Sequence, residues 1–264
     1  MKKTLLHGVT CTEGREDRLS REVFPSFRLE GVSMDYIAEG VLQALSLLLA
    51  GDEETWDAIF TTMKLSSLSI AASLALGIPL GFLLGYAEFP GKKICRAVVD
   101  TLLALPTVVV GLLVYAFISR RGPLGELGLL FTLPGVAIGQ VILALPVVVA
   151  MTATAVESLD RRLSLTLLTL GAGRSQLALA SLLESRYGVL LAAASAYGRI
   201  ISEVGVSMMI GGNIKWHTRT ITTAITLETG KGEFAMGVAL GLVLLLVAFL
   251  VNGSASLLRR RGRA

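Results

Sequence analysis

The sequence predicts an all-α, polytopic membrane helix bundle of about five transmembrane helices, preceded by an N-terminal amphipathic interfacial helix. Three observations predict it. The 264-residue chain is 53% hydrophobic and 17% charged, whereas soluble domains carry about 25% charged residues. Five apolar stretches approach or exceed the roughly 18 residues that a membrane-crossing helix requires. The basic residues also fall unevenly on alternate loops between those stretches, as they do when the loops lie on opposite sides of a bilayer.

Residues 1–33 do not share this character. They are charged and nearly aperiodic, and although Lys2 and Lys3 resemble the opening of a signal peptide, Thr4 to Thr10 is too short and polar for its apolar core. They are read as a disordered or misassigned extension, with Met34 as the expected natural start. Residues 34–56 form the amphipathic helix and a linker. Ile37, Val41, Ala44, Leu45, Leu48 and Leu49 share one helical face, and Glu39, Gln43 and Ser46 take the other. Gly51-Asp52-Glu53-Glu54 is expected to end that helix.

The membrane domain occupies residues 57–258, with spans expected over Leu65–Tyr86, Val98–Ile118, Pro134–Val156, Val189–Ile210 and Phe234–Val251. Gly77, Gly81 and Gly85 recur every four residues in the first. Gly135 and Gly139 do so in the third, and Gly237 and Gly241 in the fifth. That spacing lets helix backbones approach closely, so these faces are expected to pack on neighbouring helices. Pro79, Pro106 and Pro146 lie inside spans, where the missing N–H kinks a helix.

Lys92, Lys93, Arg96, Arg161, Arg162, Arg174, Arg186, Arg259, Arg260, Arg261 and Arg263 fall on one set of loops and the tail. The opposite set holds only Arg120, Arg121, Lys215, Arg219 and Lys231. The richer set is expected in the cytoplasm, which puts the C-terminus and the basic tail of residues 259–264 inside. No domain of the chain is a basic patch, so nucleic-acid binding is not expected. Cys11 and Cys95 sit in unlike contexts and His7 and His217 form no cluster, which argues against a disulfide framework or a metal site. No phosphate-binding Gly-x-x-x-x-Gly-Lys-Ser/Thr loop is present, so any nucleotide-driven step requires a separate chain.

Three polar stretches interrupt the apolar background. Residues 158–187 lie between two spans yet carry Arg161, Arg162, Arg174, Glu184 and Arg186. Leu163, Leu167, Leu170 and Leu177 recur near helical spacing, interrupted by Gly171 and Gly173. This predicts a short helix, a glycine turn and a second helix at the membrane surface, offered to a soluble partner, or else a solvated loop with incidental leucines. The second stretch, Tyr197 to Gly205, lies within the fourth span. Arg199 and Glu203 stand four residues apart on one helical face, where they serve as a gate in a pathway or as a structural ion pair. The third stretch, Gly211 to Thr223, offers hydroxyls, backbone N–H groups, Lys215 and Arg219 with no carboxylate of its own. It suits an anion or an acidic partner surface, or is a plain connecting loop.

At these residues the sequence resembles a known family. GAGRSQ, then Gly-Arg-x-x-Ser-Glu-x-Gly, then GGNIKWHTRTITTAITLETGKGEF are similar to the membrane subunits of ABC importers, and within them to the tungstate-type permeases. The resemblance runs from about Met34 to Asn252 and extends to the molybdate and sulfate permeases. It implies a type I importer fold and a cytoplasmic loop whose short helix docks on an ATPase, with Leu167, Leu170, Gly171, Ala172, Arg174 and Leu177 in the docking segment. Gly171 matches the family glycine, whereas Leu165-Thr166-Leu167 stands where the family reads Glu-Ala-Ala. Arg199, Glu203 and Gly205 are the implied gate. Gly212, Asn213, Lys215, Thr218, Arg219 and Thr220 are the implied external contact with the anion or its binding protein.

The resemblance further implies no catalytic residue and no cofactor on this chain, since ATP and magnesium belong to the partner ATPase. The implied partners are a second permease copy, ABC ATPase subunits, an extracytoplasmic oxyanion-binding protein and the lipid of a prokaryotic cytoplasmic membrane. The substrate expectation is tungstate, with molybdate or sulfate as alternatives. An autonomous anion channel or secondary carrier is the competing class. That class leaves the ordered loop at 160–187 unexplained, and no internal repeat of the kind common in such carriers is visible.

Overall fold

The computed structural model describes residues 35–261. The expectations for residues 1–33, and for the tail beyond 261, lie outside the described residues. From Ile37 onward the chain packs as one unit. Helix is the only regular secondary structure among the described residues.

The helices are α1 (Asp35–Ala50), α2 (Glu53–Tyr86), α3 (Lys92–Leu102), α4 (Thr107–Ile118) and α5 (Leu133–Glu157). They continue with α6 (Arg161–Thr169), α7 (Arg174–Glu184), α8 (Arg186–Ile201), α9 (Gly205–Gly211), α10 (Ile221–Lys231) and α11 (Phe234–Arg261). Of the five expected spans, the first and third are single helices, α2 and α5, each long and apolar enough to cross a membrane. The first begins twelve residues earlier than the hydropathy indicates, at Glu53 rather than Leu65. The run Gly51–Glu54 ends α1 at Ala50, as expected, with Gly51 in left-handed backbone (φ +69°), and it also starts the next helix. Asp52 Oδ2 accepts from Thr55 N at 2.8 Å and from Thr55 Oγ1 at 2.6 Å, and Glu53 and Glu54 sit in the first turn, where the helix dipole favours them.

The α2–α5 pair is the spine of the bundle. The glycine stripe of α2 lies against α5 so closely that a Cβ on Gly81 would meet Val149 O at 2.7 Å, and one on Gly85 would meet Ala153 O at 2.7 Å. Gly139 of α5 does the same toward α9, where a Cβ would stand 2.5 Å from Val206 Cγ1. In the fifth span Gly237 packs against Thr229, but Gly241 faces open space. Ser69 Oγ donates to Gln140 Oε1 at 2.8 Å across the seam, so a buried amide has its partner. Leu65 of α2 joins Val110, Val114 and Ile118 of α4, Val136 and Leu143 of α5, and Val206 and Ile210 of α9 in one core. A second core joins Ala58 and Ile59 to Ile221 and Ala224 of α10 and to Leu240 and Val243 of α11.

Two expected spans are broken. Val98–Ile118 is not one kinked helix, because α3 and α4 meet at 98°. Pro106 lacks an N–H and disfavours helical backbone at Leu105, so α4 starts afresh at Thr107. The polar side of α3 is tied to the end of α5. Arg96 Nη2 donates to Thr154 Oγ1 at 2.6 Å, and Lys92 and Arg96 stand 3.7 and 3.5 Å from Glu157. Val189–Ile210 likewise ends at Ile201, three residues intervene, and α9 begins at Gly205. The apolar part of α11 is the short stretch Phe234–Leu250. On α1, Gly40 lies against Val238 of α11, while Val41, Leu42, Leu45 and Leu49 are exposed.

Candidate functional site

At the end of the bundle where α5 finishes, residues 160–185 form the expected helix, glycine turn and helix. Asp160 Oδ1 accepts from Arg162 N at 2.8 Å and starts α6. The helix then closes in a Schellman turn: Gly171 N donates to Leu168 O and Ala172 N to Leu167 O, both at 3.0 Å. Gly171 occupies the left-handed position with φ +82°, and a Cβ there would touch nothing within 4 Å. Its role is therefore conformational rather than steric. Gly173 N donates to Gln176 Oε1 at 2.8 Å and opens α7.

The leucines divide into two sets. Leu177 is buried and Leu167 half-buried. Leu165, Leu168 and Leu170 are exposed, the last at 77%, and Arg174 lies exposed beside them. The exposed leucines of the hairpin are thus Leu165, Leu168 and Leu170 at α6, with Leu179 and Leu183 on α7. Leu165 and Leu168 are missing from the residues expected to dock, although their i, i+3 spacing places them on one face of α6.

The Arg199–Glu203 pair does not form. Their expected i, i+4 register presupposes a continuous helix, but α8 stops at Ile201, and Glu203 turns inward to cap α9. Its Oε1 accepts from Val206 N at 3.1 Å, and its carbonyl accepts from Thr222 Oγ1 of α10 at 2.9 Å. Glu203 is buried, whereas Arg199 is partly exposed with its Nε lacking a hydrogen-bond partner. Gly205 faces Thr107 and Val108 at the start of α4, where a Cβ would stand 2.9 Å from Thr107 Oγ1. The broken span therefore meets α10 at Glu203 and α4 at Gly205.

At the opposite end of the bundle the chain turns back between α9 and α10. Gly212 (φ +68°) caps α9, and Asn213 (φ +51°) and Trp216 (φ +64°) also adopt left-handed backbone, which non-glycine residues seldom do. Thr218 and Thr220 are buried rather than presented outward. Thr218 Oγ1 donates to Gly211 O at 2.6 Å and accepts from Ile214 N at 3.1 Å, closing the turn. Thr220 caps α10, and next to it Ile221 N donates to Thr62 Oγ1 of α2 at 2.9 Å.

The cations of this turn, which has no carboxylate of its own, find one on another element. Glu54 in the first turn of α2 pairs with Lys215 Nζ at 2.6 Å through Oε2 and with Arg219 Nη1 through Oε1. Sequence spacing gave no signal for Glu54, which lies 165 residues from Arg219. These three residues line a cavity of about 440 Å³ with Asp52, Glu228 and Lys231. No cluster of metal-ligating side chains occurs among the described residues.

A membrane bundle with an apolar helical hairpin at one end, an ion-bridged turn at the other and a break between them has the build of a transporter's membrane component. Residues 77–264 match the family described as the binding-protein-dependent transport system inner membrane component, and the chain belongs to that family. It is 50% identical over 224 residues to the tungstate uptake system permease protein TupB of Campylobacter jejuni, covering 85% of this chain and 94% of that one. Identity to the TupB protein of Peptoclostridium acidaminophilum is 38%, over 83% of this chain and 96% of the other. The molybdenum transport system permease protein ModB of Escherichia coli is 31% identical, over 73% and 91%. Among solved structures, a chain of a bacterial alginate ABC transporter, in complex with an alginate pentasaccharide-bound periplasmic protein, superposes with TM-score 0.68 at 20% identity. That match covers 94% of this chain and 95% of the other. A chain of the MetNI methionine ABC transporter in an inward-facing conformation gives TM-score 0.62 at 19% identity, over 79% and 94%. Both likenesses establish the fold, that of an ABC importer permease.

Proposed function

We propose that this chain is the membrane-spanning permease subunit of an ATP-driven importer that carries tungstate across the cytoplasmic membrane. The observation that carries the proposal is the 50% identity, over 85% of this chain and 94% of the other, to a tungstate uptake permease. Two copies of the chain form the pathway, with ATPase subunits against the α6–α7 hairpin on the cytoplasmic side and a binding protein against the α9–α10 turn outside. The distribution of basic residues supports that orientation, with the C-terminus inside. ATP and magnesium act on the partner ATPase, and this chain moves between outward and inward access without covalent chemistry. Molybdate is the second reading, favoured by the 31% identity to a molybdenum permease.

The test is ATP hydrolysis by the permease reconstituted in liposomes with its ATPase and binding protein, supplied in turn with tungstate, molybdate and sulfate. Stimulation by tungstate at far lower concentration is expected. Equal stimulation by molybdate would widen the substrate, and no stimulation of an assembled complex by any of the three would overturn the oxyanion assignment.

Arg199 is the cation nearest in sequence to the break and the one with an unpartnered buried nitrogen there. An ionisable residue in a span is costly and faces the bundle interior or a water-filled cavity, which supports a place on the pathway. Arg199→Ala is expected to reduce anion uptake by tenfold or so, about 1.4 kcal/mol in the barrier, with the complex still assembled. Uptake assays on equal amounts of purified complex would show it, and unchanged uptake would remove Arg199 from the pathway.

A further inference from the structure

We infer that Glu54 is an internal stand-in for a carboxylate of the extracytoplasmic binding protein: it holds Lys215 and Arg219 in the resting permease, and the docking protein's own carboxylate displaces it. The inference rests on the importer function proposed above. One carboxylate serves two cations here, each on a separate oxygen, so the bridge keeps one net positive charge. The other acids of the cavity are engaged elsewhere. Asp52 caps α2, and Glu228 pairs with Lys231 at 2.8 Å. Arg219, only 13% exposed, still has an Nε with no hydrogen-bond partner. The Lys215 and Glu54 side chains are 47% and 39% exposed, so a competitor reaches them from outside. A pair with such exposure is weak, so the Lys215 side of the bridge exchanges readily.

The surroundings favour a protein carboxylate over the free oxyanion. A doubly charged anion in the cavity would face Asp52, Glu54 and Glu228. The residues flanking Lys215 in the turn are exposed Trp216, with Lys215 Nζ 5.5 Å from its ring centroid, and exposed Ile214. An aromatic anchor beside a cation is the composition of an interface hot spot. The left-handed backbone at Asn213 and Trp216 holds that tip in an uncommon shape, as at binding loops elsewhere. Displacing Glu54 removes the ionic tie between the turn and α2, while the Thr62–Ile221 bond at the start of α10 remains. Arg219 directly precedes the cap of α10, whose Thr222 binds the Glu203 carbonyl, so release at the rim reaches the break in the span.

The test measures the affinity of tungstate-loaded binding protein for the assembled permease–ATPase complex in nanodiscs. Glu54→Gln is expected to tighten binding roughly two- to fivefold, the range of one exposed ion pair, while Glu54→Asp stays near wild type. Lys215→Gln is expected to weaken binding by a similar factor. In the double variant Glu54→Gln should then tighten binding less than it does alone. Unchanged or weaker binding by an assembled Glu54→Gln complex overturns the inference, as does equal tightening by Glu54→Asp. Should Glu54→Gln fail to assemble, Lys215→Gln alone decides, and unchanged affinity there also overturns it. A wild-type complex that binds no binding protein at all would instead refute the importer function.

Discussion

Gly81→Leu is expected to remove the protein from the membrane fraction, with the folded permease reduced at least tenfold against wild type at equal synthesis. The first carbon of any side chain at this position would stand 2.7 Å from Val149 O and 2.8 Å from Thr152 Cβ. Overpacking a well-filled core costs about 1–3 kcal/mol when neighbouring side chains can move aside. Here the obstruction is backbone of α5, which cannot move without separating the two central helices. Close approach is also the main source of helix association in lipid, where apolar burial offers no preference for protein over hydrocarbon. Gly241→Leu is the control, because its Cβ would meet nothing within 4 Å. Quantifying detergent-extracted, monodisperse protein for both variants checks the expectation, and equal yields would show that the α2–α5 contact is not what assembles the bundle.

Gly171→Pro is expected to leave the permease in the membrane at normal level but to abolish co-purification of the ATPase. Stimulated hydrolysis should fall with it by more than tenfold. Proline fixes φ near −65°, whereas Gly171 sits at +82°, and proline also removes the N–H that donates to Leu168 O. Both bonds of the Schellman turn are lost together, and the exposed Leu165, Leu168 and Leu170 no longer share a surface with Arg174. Each leucine buried against a partner contributes about 1.5–3 kcal/mol, so swinging α6 with its three exposed leucines out of its set position is enough to dissociate a docked helix. Gly171→Ala keeps the N–H and costs only the left-handed strain of about 1 kcal/mol, and it should dock nearly as well. Normal ATPase stoichiometry with the proline variant would place docking elsewhere on the chain.

Much of this was legible in the sequence, and the portions that were not share a cause. Glycines at four-residue spacing in α2 marked a packing face because backbone approach depends only on local periodicity. The hairpin at 160–185 was legible for the same reason: leucine spacing gave the helices and Gly171 the turn. Hydropathy, by contrast, reports composition without direction. Thr101 to Pro106 is nearly all apolar, so the 98° turn between α3 and α4 passed as a kink within one span. The Arg199–Glu203 pair failed because helical spacing was applied across a helix that ends at Ile201. Thr218 and Thr220 looked like outward hydroxyls, yet their hydrogen-bond partners lie within the turn and the cap they build. Glu54 was invisible because it meets Lys215 and Arg219 only after α2 is laid beside α10, a long-range fact that no local pattern encodes.

The interruption at Ser202–Val204 bears on how well the bundle insulates the membrane. A helix that stops partway through a bilayer exposes backbone dipoles, and a bare break would draw in water and with it a route for protons and small ions. Here the chain supplies the missing partners itself. Glu203 meets the amide of Val206, Thr222 meets the carbonyl of Glu203, and Ser202 Oγ meets the carbonyl of Gly198. These internal bonds let the span be discontinuous, and so able to hinge, without wetting that depth of the protein. On that ground the idle transporter is expected to hold the ion gradients across the membrane instead of draining them at the hinge.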